Sequence, residues 1–179
     1  KLLEALRDDW TGRKVELVSL DDANDTKKSE ANTKTLIDQG VIALFGYGSA
    51  TLSRPGLPHV EAARITFFAP FTGADPMRVF NRFVYNHRAS YADEMEKVVD
   101  HYTTFGIKRF AIVHYEDPIG KANYGAVERA LKARNLNVVA VASLQRTQTD
   151  ISKDVAKVLQ ANPDVVITTT LYKHAADFV

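Results

Sequence analysis

Small and hydroxyl-bearing residues follow two short apolar runs in the first half of the chain. The turn Gly46–Thr51 (GYGSAT) follows Val41–Phe45, and the turn Pro70–Ala74 (PFTGA) follows Ile65–Ala69. The segment Leu52–Ala63 between them is predicted to be helical, so the order is strand, turn, helix, strand, turn. In a parallel sheet both turns would lie at the carboxyl ends of the strands, where open α/β sheets bind ligands.

The turn Gly46–Thr51 has the composition of an anion site. Ser49 and Thr51 supply hydroxyl groups, and the first backbone N–H groups of the helix that follows have no partners within that helix. The positive end of the helix dipole adds to the attraction for a negative charge. The pattern therefore predicts half of a site for a small carboxylate.

A nucleotide-binding loop and a turn without a ligand are the alternatives for this stretch. The fingerprint G-x-G-x-x-G needs a glycine where Thr51 stands, and Ile65–Ala69 is followed by Pro70-Phe71 rather than by an acid for a ribose. No Gly-Lys-Ser/Thr follows the turn, as a Walker-type loop requires. The residues favour a small-molecule site and leave the alternatives open.

Catalytic and metal sites have weaker signals. Ser49 is the best candidate nucleophile, but GYGSAT does not form a G-x-S-x-G elbow. The five histidines lack metal-site spacing, and only His114, at the end of a strand, is placed to face a cleft. The acidic turn Asp21–Asp25 lacks the glycine and distal glutamate of a calcium loop. We therefore predict no enzymatic activity, no metal and no cofactor.

Composition narrows the class of protein. The 179 residues are 45% hydrophobic and 25% charged, with a net charge of +1, which is typical of a globular protein and gives no indication of a nucleic-acid partner. The chain has no cysteine, which excludes disulfides and thiolate metal sites. No apolar run approaches the roughly 20 residues of a membrane span.

Strands alternate with helices along the rest of the chain, which predicts βαβ units and parallel sheets. Lys14–Leu20 is predicted to be a strand, and Val41–Phe45 is apolar throughout, as in a strand buried on both faces. The opening residues KLLEALRDDW are predicted to form a helix, because Leu2, Leu3 and Leu6 fall on one helical face. Further predicted elements are the helices Thr26–Gln39, Ser90–Phe105, Gly120–Arg134 and Asp150–Gln160, and the strands Arg109–His114, Asn137–Ser143 and Asp164–Thr169.

Five stretches match one family in chain order. They are VELVSLDDANDTKKSEANTKTLI, ALFGYGS, ITFFAPFTGAD, YNHRASYADE and YEDPIGKANYGAVERAL. Together they resemble the substrate-binding proteins of branched-chain amino-acid ABC transporters, the type-1 periplasmic binding proteins. The chain departs from the usual pattern at Thr66, where proline is common, and at Ile119, where many relatives have an aromatic residue.

The resemblance implies two Rossmann-like α/β lobes with parallel sheets flanked by helices. Residues 1–88 would form lobe one and residues 89–179 lobe two, both partial, with a hinge near residue 88. The family's first strand, central in the order 2-1-3-4-5, has no counterpart here. We therefore expect 1–179 to be part of a longer chain, in which Lys14–Leu20 and Val41–Phe45 lack the strand between them.

The resemblance also implies ligand contacts. The turn Ser49–Thr51 and the stretch Thr72–Ala74 would hold the ligand's carboxylate and amino groups, while Phe71 would form a wall or pack under its loop. From lobe two, Asp117 would pair with a ligand ammonium or cap the following helix. The implied ligand-binding residues are Ser49, Ala50, Thr51, Phe71, Thr72, Gly73, Ala74, Tyr115, Asp117 and Tyr172.

The implied function is capture of an amino acid or a related small carboxylate, aromatic or aliphatic, in a cleft that closes by hinge bending. The implied partner is the membrane permease of an ABC importer, and the implied location is periplasmic or otherwise extracytoplasmic. A ligand-sensing domain of a signalling or regulatory protein with the same fold is an alternative. An α/β enzyme is a further one.

Overall fold

The structure is a computed structural model that describes residues 15–179. Contacts divide the described chain into two units. Unit one contains the described residues up to Phe71 together with Phe80–His87, and unit two contains Thr72–Val79 and Arg88–Val179. The segment Thr72–Val79 thus groups with unit two, although the sequence places it before the predicted hinge. The lobe boundary near residue 88 stays a prediction.

Unit one contains a three-stranded parallel sheet in the order β1-β2-β3. The register pairs Leu44 with Phe67, and these two side chains share the buried face of the sheet. The elements are α1 (Thr26–Asp38), β1 (Ala43–Phe45), α2 (Ala50–Ser53), a 3-10 turn (Arg54–Gly56), α3 (Leu57–Ala63), β2 (Thr66–Phe68) and β3 (Val84–Tyr85).

Unit two contains a second parallel sheet, in the order β5-β4-β6. All six residues of the central strand β4 are buried, as expected for a strand with neighbours on both edges and apolar contacts on both faces. The elements are a 3-10 turn (Asp75–Met77), α4 (Tyr91–Thr104), β4 (Phe110–Tyr115), α5 (Pro118–Lys132), β5 (Val138–Leu144), α6 (Ser152–Gln160), β6 (Val165–Thr168) and α7 (Tyr172–Phe178).

The helix ends follow the local sequence signals. Asp25 accepts a hydrogen bond from the Lys28 N–H at the start of α1. Ser90 forms a capping box with Asp93 at the start of α4. Gly40 and Gly106, with φ values of 74° and 78°, adopt the left-handed conformation just after these helices. No helix in the described range is long and apolar enough to cross a membrane.

The predicted strand Lys14–Leu20 is wrong for the residues that the structure describes. Residues 15–20 form no strand, and Leu17 is 60% exposed. The physical reason is pairing: β1 hydrogen-bonds to β2 on one edge, and no described strand lies on its other edge. A cavity of about 200 Å³ is lined by residues 17–20 together with Phe45 and Tyr47. The predicted helix KLLEALRDDW lies outside the described residues.

The expectation that Val41–Phe45 is buried on both faces is also wrong. The strand is shorter, Ala43–Phe45, and its side chains alternate between exposed and buried. Phe45 pairs in register with Phe68, and these rings are 61% and 49% exposed. Because successive side chains point to opposite faces, only the face that carries Leu44 is covered.

Candidate ligand-binding site

In unit one the turn after β1 begins a helix at Ser49. The Ser49 hydroxyl accepts the Leu52 N–H at 3.2 Å, and the Ser49 carbonyl accepts the Ser53 hydroxyl at 2.7 Å. A hydroxyl has two acceptor sites and one hydrogen, so Ser49 keeps a donor for a ligand. Ala50 is buried, whereas Thr51 is exposed. The turn thus presents hydroxyl groups beside a helix amino terminus.

Tyr47 fixes this turn through a network that sequence reasoning missed. Its hydroxyl lies 2.7 Å from Thr33 Oγ1, and the Thr33 hydroxyl donates to the Ser29 carbonyl at 2.8 Å. The Ser29 hydroxyl donates in turn to the Leu52 carbonyl at 3.0 Å. Burial raises the pKa of Tyr47. The sequence signal for this network is the pair Ser29 and Thr33, two small polar residues one turn apart on the buried face of α1.

Phe71 joins the turn after β2 to the turn after β1. Its backbone N–H donates to the Tyr47 carbonyl at 2.8 Å. The Phe71 ring is 58% exposed and is stacked with His87 at a centroid distance of 6.5 Å. The ring is therefore half open to solvent at the carboxyl edge of the unit-one sheet.

The stretch Thr72–Ala74 is buried within unit two. The Thr72 hydroxyl accepts the Ala74 N–H at 3.1 Å, and the Gly73 carbonyl accepts the Tyr91 N–H at 2.8 Å. A Cβ atom at Gly73 would lie 2.7 Å from the Ala89 carbonyl oxygen. The stretch is packed tightly against the start of α4, and its contact with a ligand stays a prediction.

Tyr115 ends β4 inside a buried polar network. Its hydroxyl lies 2.8 Å from His174 Nδ1 and accepts the Leu171 N–H at 3.1 Å. His174 Nε2 lies 2.7 Å from the Gln148 carbonyl, which only accepts, so Nε2 carries the hydrogen and Nδ1 accepts from Tyr115. The network ties together the ends of β4, β5 and β6. Sequence reasoning assigned no role to His174.

Asp117 caps α5, one of its two predicted roles. Its Oδ1 accepts the Gly120 N–H at 2.8 Å, and its Oδ2 accepts from Arg146. Burial raises the pKa of Asp117, but the bonds from the Gly120 N–H and the Arg146 guanidinium outweigh it and hold the pKa below its usual range. Both oxygens therefore have partners, and the pairing of Asp117 with a ligand ammonium stays a prediction.

The remaining sequence candidates differ in exposure. Tyr172, the first residue of α7, is 88% exposed, and Ile119 is 40% exposed. His114 is buried and its ring stacks on Tyr124 at 5.4 Å. Tyr172 and Ile119 thus offer apolar surface just after β6 and β4, whereas His114 is enclosed. No cluster of three or more potential metal-binding side chains occurs in the described range.

Comparison with known proteins identifies similar chains. A family model described as "Periplasmic binding protein" matches residues 4–179. The Leu/Ile/Val-binding protein of Escherichia coli (strain K12) is 25% identical over 157 residues, which make up 87% of this chain and 43% of that protein. The chain therefore spans less than half the length of this curated relative, which is named as a binding protein.

Solved structures share the fold. A substrate-binding periplasmic protein from Ralstonia solanacearum is 26% identical, with a TM-score of 0.81 over 99% of this chain and 51% of that one. A substrate-binding protein from Desulfitobacterium hafniense in complex with Leu is 17% identical, with a TM-score of 0.82 over 98% and 53%. A solute-binding protein from R. palustris in complex with benzoate is 17% identical, with a TM-score of 0.77 over 94% and 49%. The predicted fold class and family resemblance are confirmed.

Proposed function

This chain belongs to the periplasmic binding protein family, and we propose on that premise that the intact protein is the solute-binding component of an ABC importer. Its ligand is an amino acid or a related small carboxylate. Its partner is the membrane permease, and it works outside the cytoplasm, in the periplasm or its equivalent.

The match of the family model over residues 4–179 carries the proposal, and the geometry of each unit supports it. In unit one the turns with Ser49 and Phe71 follow parallel neighbouring strands and are joined by the bond from the Phe71 N–H to the Tyr47 carbonyl. In unit two Asp117 and Tyr172 follow the parallel strands β4 and β6. Carboxyl ends of parallel strands are the usual place for a ligand in such sheets.

The relatives support a carboxylate with an apolar body as ligand. One is named for leucine, isoleucine and valine, and the two ligand complexes contain Leu and benzoate. Each unit supplies matching groups: unit one has the hydroxyls of Ser49 and Thr51 and the exposed ring of Phe71, and unit two has the exposed apolar side chains of Ile119 and Tyr172. A sensor domain of the same fold would use the same groups, so the alternatives differ in the partner and not in the ligand.

Ligand-induced thermal stabilisation of the intact protein tests the proposal. L-leucine, benzoate and ATP are added separately, and a ligand at 100 times its Kd adds about 2.7 kcal/mol to the free energy of unfolding. We expect leucine or benzoate to raise the unfolding temperature and ATP to leave it unchanged. Stabilisation by ATP alone, or by none of the three, would contradict the proposal.

A pair of variants links the ligand to the site. Tyr172→Ala removes an exposed ring beside the carboxyl end of β6 and is expected to reduce the stabilisation by ligand. Phe105→Ala removes a ring that is 71% exposed after α4 and serves as the control. Equal ligand responses of the two variants would contradict the assignment of Tyr172 to the site.

A further inference from the structure

Arg146 lies in the loop after β5, at the same sheet edge as Tyr115 and Asp117. Its guanidinium carbon lies 4.4 Å from the centre of the Tyr115 ring. Its Nε donates to Asp117 Oδ2 at 2.7 Å, and its Nη2 lies 2.6 Å from the same oxygen. The Arg146 side chain is 47% exposed. The guanidinium is therefore held by Asp117 and Tyr115, and part of it remains accessible to solvent.

The donors that remain on Arg146 match a carboxylate. A guanidinium has five N–H donors; Nε donates to Asp117 Oδ2, and Nη2 lies 2.6 Å from the same oxygen. These two form the lateral edge of the group. The outer edge, with one N–H each on Nη1 and Nη2, can form two parallel hydrogen bonds with one carboxylate. Nη1 makes no hydrogen bond to any described residue.

Each group that holds Arg146 is itself held in place. Asp117 is anchored by the Gly120 N–H at the start of α5. The Tyr115 hydroxyl is bonded to His174 and Leu171. A guanidinium fixed in this way loses less conformational entropy when it binds an anion than a free side chain does. The positive end of the α5 dipole lies beside it and also favours an anion.

We propose that Arg146 is a ligand-binding residue of unit two that binds the carboxylate of the solute through its outer Nη1–Nη2 edge. The inference rests on the proposed function and assigns a group that the family resemblance left unassigned. Asp117 is then a positioning residue, which holds the guanidinium and does not pair with a ligand ammonium. The solute is accordingly recognised in unit two by its carboxylate, whether or not it carries an amine.

Calorimetric titration of the intact protein with two matched pairs of probes tests the proposal. L-leucine is compared with L-leucinamide, and benzoate with benzamide, because each amide keeps the apolar body but replaces the charged carboxylate with a neutral group that has one acceptor oxygen and an NH2 donor. We expect Arg146→Gln to weaken carboxylate binding about tenfold or more, as for loss of a hydrogen bond to a charged group. Amide binding should change much less, so the preference for carboxylate over amide should fall. A general loss of structure would weaken both members of a pair.

Two further variants make the result specific. Arg146→Lys keeps the charge but not the paired donors, and we expect a smaller loss of carboxylate affinity. Lys121→Gln removes an exposed positive charge from the first turn of α5 and should leave the affinity unchanged. If Arg146→Gln does not fold, the Arg146→Lys preference for carboxylate over amide decides the matter.

The outcomes separate the two proposals. Wild-type carboxylate affinity and preference in both Arg146 variants would contradict the role of Arg146 and leave the proposed function standing. Failure of the wild-type protein to bind either carboxylate would contradict both.

Discussion

The hydroxyl of Tyr115 donates to Nδ1 of His174 across 2.8 Å, and both side chains are at most 5% exposed. The two residues are 59 positions apart in the chain. Their bond joins the end of β4 to α7, and the second ring nitrogen of His174 extends it to the Gln148 carbonyl after β5. His174 therefore links the end of β4 and the loop after β5 to α7, the helix that follows β6.

The first prediction concerns this network. Tyr115→Phe removes the hydroxyl and leaves the Leu171 N–H and His174 Nδ1 without their partner. Buried polar groups without partners are costly, so the free energy of unfolding should fall by about 1–3 kcal/mol in urea unfolding. Tyr172→Phe, at a residue that is 88% exposed, is the control and should change it by less than about 0.5 kcal/mol. Equal effects would show that the network does not stabilise unit two.

The second prediction compares two glycines of α5. A Cβ atom at Gly120 would overlap the carbonyl oxygen of Tyr115 and lie 2.7 Å from the Tyr115 nitrogen, and neither backbone atom can move aside easily. We expect Gly120→Ala to reduce the free energy of unfolding by about 3 kcal/mol or more. At Gly125 the nearest atom is the flexible Arg129 Nη1 at 3.3 Å, so Gly125→Ala should gain helix propensity and stabilise by up to about 1 kcal/mol. Thermal and urea unfolding distinguish the two, and a neutral Gly120→Ala would contradict the packing described.

Local signals in the sequence predicted the fold well where contacts are local. Asp25 stands just before the predicted helix Thr26–Gln39 and Ser90 begins the predicted helix Ser90–Phe105, and in the structure the two side chains cap these helices. Alternating strands and helices predicted parallel sheets, which both units contain. The errors lie at residues 15–20 and at Phe45, because pairing and coverage of a strand depend on distant parts of a chain and not on its own composition.

The candidate site was predictable only in part for the same reason. The family resemblance implied Tyr115 and Asp117 as site residues, but their partners His174 and Arg146 are 59 and 29 residues away. No local pattern marks such pairs. The rule that groups gather at the carboxyl ends of parallel strands, applied to the loop after β5, would have drawn attention to Arg146.

The last prediction concerns the acid dependence of stability at Asp117. Hydrogen bonds from the Gly120 N–H and Arg146 outweigh burial and hold the pKa of Asp117 below the value of about 4 that it has in the unfolded chain. A group with a depressed pKa in the folded state stabilises the protein above its unfolded pKa, and this contribution is lost as the pH falls through the folded pKa. The loss at Asp117 therefore occurs below about pH 4.

Asp117→Asn isolates this contribution. Asparagine is also a good helix cap, so the Gly120 bond can persist while the titrating charge is removed. We expect the free energy of unfolding of Asp117→Asn to fall less than that of the wild type between about pH 6 and about pH 3. Asp177→Asn removes a carboxylate that pairs with Lys173 on α7, away from the α5 amino terminus, and tests whether the effect belongs to this position. Parallel acid profiles for the wild type and Asp117→Asn would mean that the bonds to Gly120 and Arg146 do not favour the charged form, because a carboxyl group with the same pKa in the folded and unfolded chain adds nothing to the slope of stability against pH.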